Sequence, residues 1–222
     1  MIETLIKLIR SLIPPLFSII YTRLIQARKK QYKNNPDILF SGDDAMFKEL
    51  LRNANVYGEY GCGKSTIWAL NNTSAKVVAV DTSEYWIEVV RSANPNNNYK
   101  LNIGHADCGE LGEFGRPIGF NARESFHIYT DYLWQQPDEP DVVLVDGRFR
   151  VCCFLTSLKF GREGARLVFD DYTNRPDYHV IEKYVSRVKE CGRQCLFLVP
   201  PKIEIDFDEL DQDIHSFRHV KD

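Results

Sequence analysis

The chain has 222 residues, of which 44% are hydrophobic, and its 28 Lys and Arg against 31 Asp and Glu give a formal net charge of -3. This length and apolar content suit one domain with a sizeable core and exclude two full domains. A slightly acidic chain lacks the basic surface of most nucleic-acid-binding proteins, so we expect no nucleic-acid partner.

Residues 1–36 predict an amphipathic helical extension followed by a polar linker. The longest uncharged run, residues 11–22, is too short to span a bilayer and contains two prolines. A basic cluster follows at residues 28–30. Two interpretations are open: these helices pack on the domain, or residues 1–30 make peripheral membrane contact with their basic side chains on anionic head groups.

The six cysteines include no Cys-x-x-Cys pair. Cys152 and Cys153 lie inside an apolar run, where thiols behave as small hydrophobic side chains. We interpret the cysteines as reduced and structural, which favours a cytoplasmic location.

Residues 37–222 alternate short apolar runs with amphipathic ones. Helices are predicted over residues 45–52, 66–70, 83–93, 126–134, 151–159 and 178–191. Strands are predicted over residues 76–81, 99–103, 141–146, 166–169, 194–199 and 216–220, with an acidic loop over 206–213. This alternation predicts an α/β domain with a doubly wound, mostly parallel sheet and a C-terminal antiparallel strand. The Gly- and Pro-rich stretch 108–125 is interpreted as a lid or binding loop.

The most informative stretch covers residues 56–66, where a strand-like run breaks into a glycine turn and then a helix. Residues 58–65 match the P-loop pattern Gly-x4-Gly-Lys-Ser, whose backbone amides would cradle phosphates; this alternative predicts an NTPase or kinase. Glu59, Gly61 and Gly63 instead match the tight turn of a doubly wound nucleotide-binding sheet, whose glycines let the backbone approach a ligand closely.

Two features favour the second interpretation. The first strand continues through Gly58 to Glu59, whereas the strand before a P-loop ends at its first glycine. In addition, Asp81 ends the next strand at the offset expected of a carboxylate that binds ribose hydroxyls, which phosphate binding does not require.

Together these stretches resemble class I S-adenosylmethionine-dependent methyltransferases over about residues 44–220. The resemblance rests on residues 59–63, 77–81, 105–107, 141–147 and 167–171. It implies a Rossmann-like fold with S-adenosyl-L-methionine as cofactor. The implied cofactor-binding residues are Glu59, Tyr60, Gly61, Gly63, Ser65, Asp81, Thr82, Trp86 and Asp107. For Trp86, a place in the hydrophobic core is the alternative.

Three carboxylates end two neighbouring predicted strands, at Asp146, Asp170 and Asp171. Carboxylate oxygens suit Mg²⁺, which would lower the pKa of an acceptor hydroxyl and orient it. The pattern Val-Asp-Gly followed by Phe-Asp-Asp-Tyr resembles metal-dependent O-methyltransferases acting on catechols and on sugars of natural products, in which the matching acids ligate the metal. The alternative is that Asp146 orders its loop and Asp170 caps a helix.

The remaining candidates lie close to these acids in sequence or in the loop 108–125. Candidate catalytic residues are Asp146, His105 and Arg148. Candidate acceptor contacts are Tyr172, Arg175 and Arg116. The arginines either pair with the acids or bind an anionic acceptor. The sequence thus predicts a methyltransferase acting at oxygen on a small molecule or glycan precursor; the alternatives are the P-loop enzyme and a domain that keeps the fold without the chemistry.

Overall fold

The computed structural model describes residues 38–40 and 43–222. The chain divides into two units, Met1–Ser41 and Gly42–Asp222, and the second carries the sheet and its helices. The predicted amphipathic extension and linker, residues 1–36, lie outside the described residues. In the part of the chain that is described, no helix has the length and apolar character needed to cross a bilayer.

The second unit is built on one sheet of seven strands in the order β3-β2-β1-β4-β5-β7-β6. The strands are β1 Val56–Tyr60, β2 Lys76–Asp81, β3 Leu101–His105, β4 Val142–Val145, β5 Arg166–Phe169, β6 Lys189–Cys191 and β7 Gln194–Leu198. β1 to β5 pair in parallel, whereas β7 runs antiparallel to both β5 and β6. The predicted fold class is therefore confirmed.

Helices connect the parallel strands, as a doubly wound topology requires. The α-helices are α1 Ala45–Arg52, α2 Lys64–Asn72, α3 Glu84–Ala93, α4 Phe126–Asp131, α5 Arg150–Phe160 and α6 Phe207–Phe217. Short 3₁₀ helices cover Pro95–Lys100, Glu113–Gly115, Arg123–Ser125, Tyr132–Gln135, Pro176–Lys183 and Lys202–Glu204.

The core lies where α5 packs on the middle of the sheet. α5 is buried from Arg150 to Leu158, as expected of a helix whose apolar side chains are not confined to one face. Its Phe154 stacks on Phe169 of β5 at a centroid distance of 5.5 Å and meets Phe197 of β7 edge-on at 5.1 Å. The antiparallel strand β7 is thereby fixed to the parallel part of the sheet.

The C-terminal third differs from the sequence-based prediction. The helix predicted over 178–191 is wrong, because the 3₁₀ helix ends at Lys183 and the chain then forms β6, which turns into β7 at Gly192 with φ 59°. The acidic loop and the strand at 216–220 are also wrong, because α6 occupies residues 207–217. Asp206 caps α6 by accepting from the Glu209 N–H at 3.0 Å, and Leu210 and Ile214 bury one face.

The parallel strands all end at one edge of the sheet. The strand order reverses between β1 and β4, and ligands of doubly wound sheets bind in the crevice outside the carboxyl ends at such a point. The ends of β1, β2 and β4 and the chain that follows each of them therefore border the candidate site.

Candidate active site

β1 runs through Gly58 without interruption, which contradicts the P-loop interpretation. Gly58 pairs with Val78 and Val143 inside the sheet, and a Cβ there would lie 2.8 Å from Pro140 Cγ. The loop between β1 and α2 is therefore only the three residues from Gly61 to Gly63. A phosphate-cradling loop beginning at residue 58 does not exist in this fold.

Gly61 brings the first turn against the end of β4. Its φ is 89°, its N–H donates to Val80 O at 2.9 Å, and a Cβ at this position would lie 2.8 Å from the Cα of Gly147. Only glycine combines this left-handed conformation with so close an approach. Gly63 has an extended φ of 169° and open space around its Cα, so its glycine identity is not required by the fold.

Glu59 supports the turn from inside the domain. Its side chain is 1% exposed and accepts hydrogen bonds from the hydroxyls of Ser65 and Thr66, the latter at 2.6 Å. Burial raises the pKa of Glu59 to about 7, although both hydroxyl bonds oppose this shift. Glu59 and Ser65 therefore bind each other and fix the first turn of α2, which differs from the predicted contact with the methionine end of a cofactor.

Asp81 is held at the end of β2 by two backbone amides. Its Oδ2 accepts from Cys62 N at 2.8 Å and its Oδ1 from Ser83 N at 2.7 Å, and the residue is 9% exposed. Burial raises the pKa of Asp81, and these amide bonds oppose the shift. Each carboxylate oxygen has two lone-pair positions, so each keeps one for a further donor such as a ribose hydroxyl.

Thr82 anchors the loop 108–125 to the end of β2. Its hydroxyl donates to Gly115 O at 2.7 Å, while Thr82 O meets His105 Nε2 at 3.0 Å. The loop therefore crosses the mouth of the site beside Asp81, as a lid would.

Three predicted residues lie at the β3 side of the crevice. His105 ends the edge strand β3, three strand spacings or roughly 14 Å from β4 and its Asp146. Its role as a general base stays a prediction. Asp107 is exposed and accepts from Gly109 N at 2.9 Å. Trp86 is 41% exposed on α3 and packs edge-on against Tyr85, so the core alternative for Trp86 is wrong.

Tyr60 and Tyr172 are core residues. Both are fully buried, and Tyr60 donates from its hydroxyl to Thr130 O at 2.7 Å. The Tyr172 hydroxyl donates to Glu182 at 2.7 Å, and its ring packs on Phe169. Because their side chains point into the protein, neither the predicted cofactor contact of Tyr60 nor the predicted acceptor contact of Tyr172 is made by a side chain.

The three strand-end acids are bound by arginines in what we call the acid–arginine cluster. Its members are Asp146, Asp170, Asp171, Arg150, Arg175 and Arg193. Buried Arg150 donates from Nη2 to Asp146 Oδ1 at 3.0 Å and from Nη1 to Asp171 Oδ2 at 3.3 Å. Arg193 binds both oxygens of Asp170, at 3.1 and 2.5 Å, and Asp171 Oδ1 at 3.0 Å. Arg175 adds a contact to Asp171 Oδ2 at 2.9 Å.

These contacts do not fit the predicted metal site at Asp146, Asp170 and Asp171. A divalent cation needs convergent carboxylate oxygens that are free to coordinate it. Here guanidinium groups take the oxygens, and the described residues contain no group of three side chains suited to hold a metal ion. The resemblance to metal-dependent enzymes in this pattern therefore does not extend to the geometry.

Asp146 keeps a chemically useful character within the cluster. Burial and the neighbouring charge of Asp170 raise the pKa of Asp146, while Arg150 opposes the shift. Its side chain is still partly open to the crevice. A carboxylate of raised pKa at the mouth of a crevice is a stronger base than an ordinary surface carboxylate.

Two predicted arginines meet the closing segment, which we define as residues 218–222. The backbone N–H of Arg148 donates to the Tyr129 hydroxyl at 3.1 Å, and its Nη1 donates to the backbone oxygen of Asp222 at 2.7 Å. Arg116, in the loop 108–125, donates from Nε to Lys221 O at 2.8 Å. Arg175 is separate from this pair, since it binds Asp171 and the Tyr178 hydroxyl.

Sequence reasoning missed four residues that border the site: Tyr129, Arg193, Lys221 and Asp222. The Cys-Gly-Arg run at 191–193 is a turn signal that could have identified the β6–β7 hairpin and hence Arg193. The others arrive from distant parts of the chain without a local pattern.

The sequence matches no protein-family model and no curated protein. Among solved structures, a methyltransferase-like protein from Silicibacter pomeroyi is 31% identical, with a TM-score of 0.69 over 78% of this chain and 92% of that one. The chain belongs to the class I S-adenosylmethionine-dependent methyltransferase family. The family predicted from the glycine turn and the strand-end acids is thus confirmed.

A second structure resembles this methyltransferase in fold alone. A Staphylococcus aureus protein provisionally named a caffeoyl-CoA O-methyltransferase is 11% identical, with a TM-score of 0.53 over 90% of this chain and 98% of that one. The residues of the methyltransferase fit the cofactor of its family, because the Gly61 turn leaves room for close approach and Asp81 has unused acceptor positions.

Proposed function

We propose that the chain transfers the methyl group of S-adenosyl-L-methionine to an oxygen atom of a small molecule or glycan precursor. The observation that carries the proposal is the geometry of Asp81, whose two oxygens are aimed by Cys62 N and Ser83 N at the rim of the Gly61 turn. This is the arrangement a ribose diol needs, and Asp107 at the end of β3 would border the adenine.

The chemistry asked of the protein is modest. The cofactor supplies a methyl group already activated on a sulfonium, so the chain must align an acceptor and take its proton. Asp146 serves as the base: Arg150 holds its Oδ1 at 3.0 Å, and its raised pKa favours proton capture. No step requires a metal ion, since Arg150 and Arg193 supply the positive charge beside the acids.

Calorimetric titration tests the proposal at the level of the cofactor. The chain should bind S-adenosylmethionine and its demethylated product, and Asp81→Asn should weaken both by about tenfold or more, because the neutral side chain loses charge-assisted hydrogen bonds. Asp208→Asn, a matched change at an exposed acid of α6, should leave both affinities unchanged. Binding of ATP·Mg with no response to the methyl donor would overturn the proposal.

Turnover separates an enzyme from a domain that binds the cofactor without chemistry. Once an acceptor has been identified, Asp146→Asn should lower kcat about 10²- to 10⁴-fold and leave the cofactor affinity unchanged. A kcat equal to that of the unaltered chain would remove Asp146 from the mechanism.

The proposal includes a cytoplasmic location and peripheral membrane contact through residues 1–30. The support for contact is the sequence alone, with its apolar helical face and basic cluster. The test is flotation with anionic liposomes, with and without residues 1–30. Equal flotation of the two chains would contradict the membrane contact.

A further inference from the structure

The side chain of Asp222 occupies a pocket made by the start of α5. Its Oδ1 accepts the Arg150 N–H at 2.9 Å, and its backbone oxygen accepts from Arg148 Nη1 at 2.7 Å. The pocket thus combines a guanidinium with a backbone donor at the positive end of an 11-residue helix, two features that favour an anion.

Asp222 fits this pocket incompletely. Its Oδ2 is buried without a hydrogen-bond partner, and Arg148 Nε is likewise buried without one. Buried polar atoms of this kind cost free energy until a partner satisfies them. A carboxylate entering from outside could take Nε and Nη1 of Arg148 together, in the bidentate geometry that arginine prefers.

The pocket borders the cofactor side of the crevice. Arg148 directly follows Gly147, which packs on Gly61, and the charge of Arg148 acts on Asp81 across the crevice. The Asp222 charge also reaches Tyr178, where it adds to burial in raising the pKa of the Tyr178 hydroxyl. A ligand held by Arg148 would therefore lie beside the Gly61 turn, two residues along the chain from the base Asp146.

We propose that Arg148 and the Arg150 N–H form the subsite for a carboxylate of the methyl acceptor, and that Asp222 fills this subsite until the acceptor displaces it. This inference rests on the proposed function and narrows its acceptor to a carboxylate-bearing molecule. Asp222 competes with the acceptor for the subsite. The acceptor therefore binds with a lower affinity than it would have for an empty subsite.

Displacement of Asp222 also reaches the loop 108–125. Lys221 donates from Nζ to Ile118 O at 3.2 Å and Gly119 O at 2.8 Å, and it lies over the Phe120 ring at 3.6 Å. Arg116 Nε holds the Lys221 carbonyl. Because Lys221 is the neighbour of Asp222, displacement of Asp222 should weaken the hydrogen bonds between Lys221 and the loop 108–125.

The test uses the full ¹⁵N-labelled chain and follows the amide resonance of Arg150, which reports the subsite directly. The probes are propionate, its uncharged counterpart propionamide, and inorganic phosphate. Deletion of residue 222 removes both the carboxylate at the Arg150 N–H and the backbone oxygen at Arg148 Nη1. The shortened chain should bind propionate about tenfold more tightly than the unaltered chain, because the internal competitor is gone. Asp208→Ala, which removes an exposed acid from α6, should bind like the unaltered chain.

Arg148→Gln added to the deletion of residue 222 should abolish the propionate response, and propionamide should give none in any variant. Equal propionate affinity with and without Asp222, or a response that survives Arg148→Gln, would overturn the subsite. Phosphate binding more tightly than propionate in the chain without residue 222 would overturn the carboxylate assignment.

A parallel titration with the demethylated cofactor separates this inference from the proposed function. Cofactor binding with no propionate response overturns the subsite alone. A propionate response without cofactor binding overturns the proposed function, and with it the role of the subsite in holding an acceptor.

Discussion

Arg150 binds Asp146 twice, through the carboxylate Oδ1 and through the backbone carbonyl, with both contacts made by Nη2 at 3.0 Å. The same guanidinium reaches Gly147 O from Nε at 3.1 Å and Asp170 O from Nη1 at 3.0 Å. One side chain thus joins the ends of β4 and β5. The nearby carboxylates keep the pKa of Arg150 raised despite its burial, so the guanidinium stays charged.

Arg150→Met should destabilise the chain strongly. It leaves Asp146 without its cation, removes one of the cations that bind Asp171, and leaves three backbone carbonyls without their donor. Breaking a buried ion pair from one side costs about 3 to 5 kcal/mol in the free energy of unfolding. Arg175→Met is the matched control: its side chain is 46% exposed, and exposed ion pairs contribute about 0 to 1 kcal/mol. Urea denaturation measures both, and equal losses would contradict the central position of Arg150.

Divalent cations should have no effect on cofactor binding or turnover. Arg150 and Arg193 already engage the oxygens that would ligate Mg²⁺. Titration with MgCl₂ should give no binding heat, and EDTA should leave the rate unchanged. A saturable Mg²⁺ signal that disappears in Asp170→Asn would restore the metal site.

The two glycines of the first turn should differ in their tolerance of alanine. Gly61→Ala forces a side chain into a left-handed conformation against Gly147 and should cost about 1 to 3 kcal/mol, with loss of cofactor binding. Gly63→Ala meets no atom within 4 Å and should cost under about 1 kcal/mol. Thermal melts and cofactor titrations measure both changes. A P-loop would give the opposite order, with residue 63 as the sensitive position.

Stability should decrease between about pH 4.5 and pH 7 through Glu59. Its ordinary pKa of 4.5 rises to about 7 in the folded chain, so the folded state holds a proton that the unfolded state releases. The contribution is present below pH 4.5 and is lost as the pH rises through 7, amounting to about 3 kcal/mol. The urea midpoint should fall less across this pH range in Glu59→Gln than in the unaltered chain. An equal fall in both chains would show that Glu59 is not the group that titrates.

The sequence predicted the parallel half of the fold because its signals are local. Ala45–Arg52 and Arg166–Phe169 form the predicted helix and strand with the predicted bounds, and the family was predicted from a turn in which Gly61 is sterically required. The C-terminal errors have the opposite origin. The acids at 206–213 suggested a loop, but α6 exposes those side chains and buries only Leu210 and Ile214.

The side chains at the site were harder to assign, because consecutive residues of a strand point to opposite faces of the sheet and a sequence does not show which face borders the ligand. Glu59 and Tyr60 are consecutive, and both are buried, each bound to partners inside the domain. Acidic residues at strand ends suggested a metal, yet their partner Arg193 comes from a hairpin 23 residues beyond Asp170. Such long-range pairing leaves no periodic trace in a single sequence.

Trp86 gives this protein a built-in optical reporter. The chain has three tryptophans, and Trp68 is buried in α2 while Trp134 donates its indole N–H to the Tyr60 hydroxyl. Trp86 is the one with a large open surface, on the helix that starts just after Asp81. Its emission should be quenched by acrylamide in the empty chain and shielded once a nucleoside lies across β2. Steady-state fluorescence can therefore measure occupancy without any label.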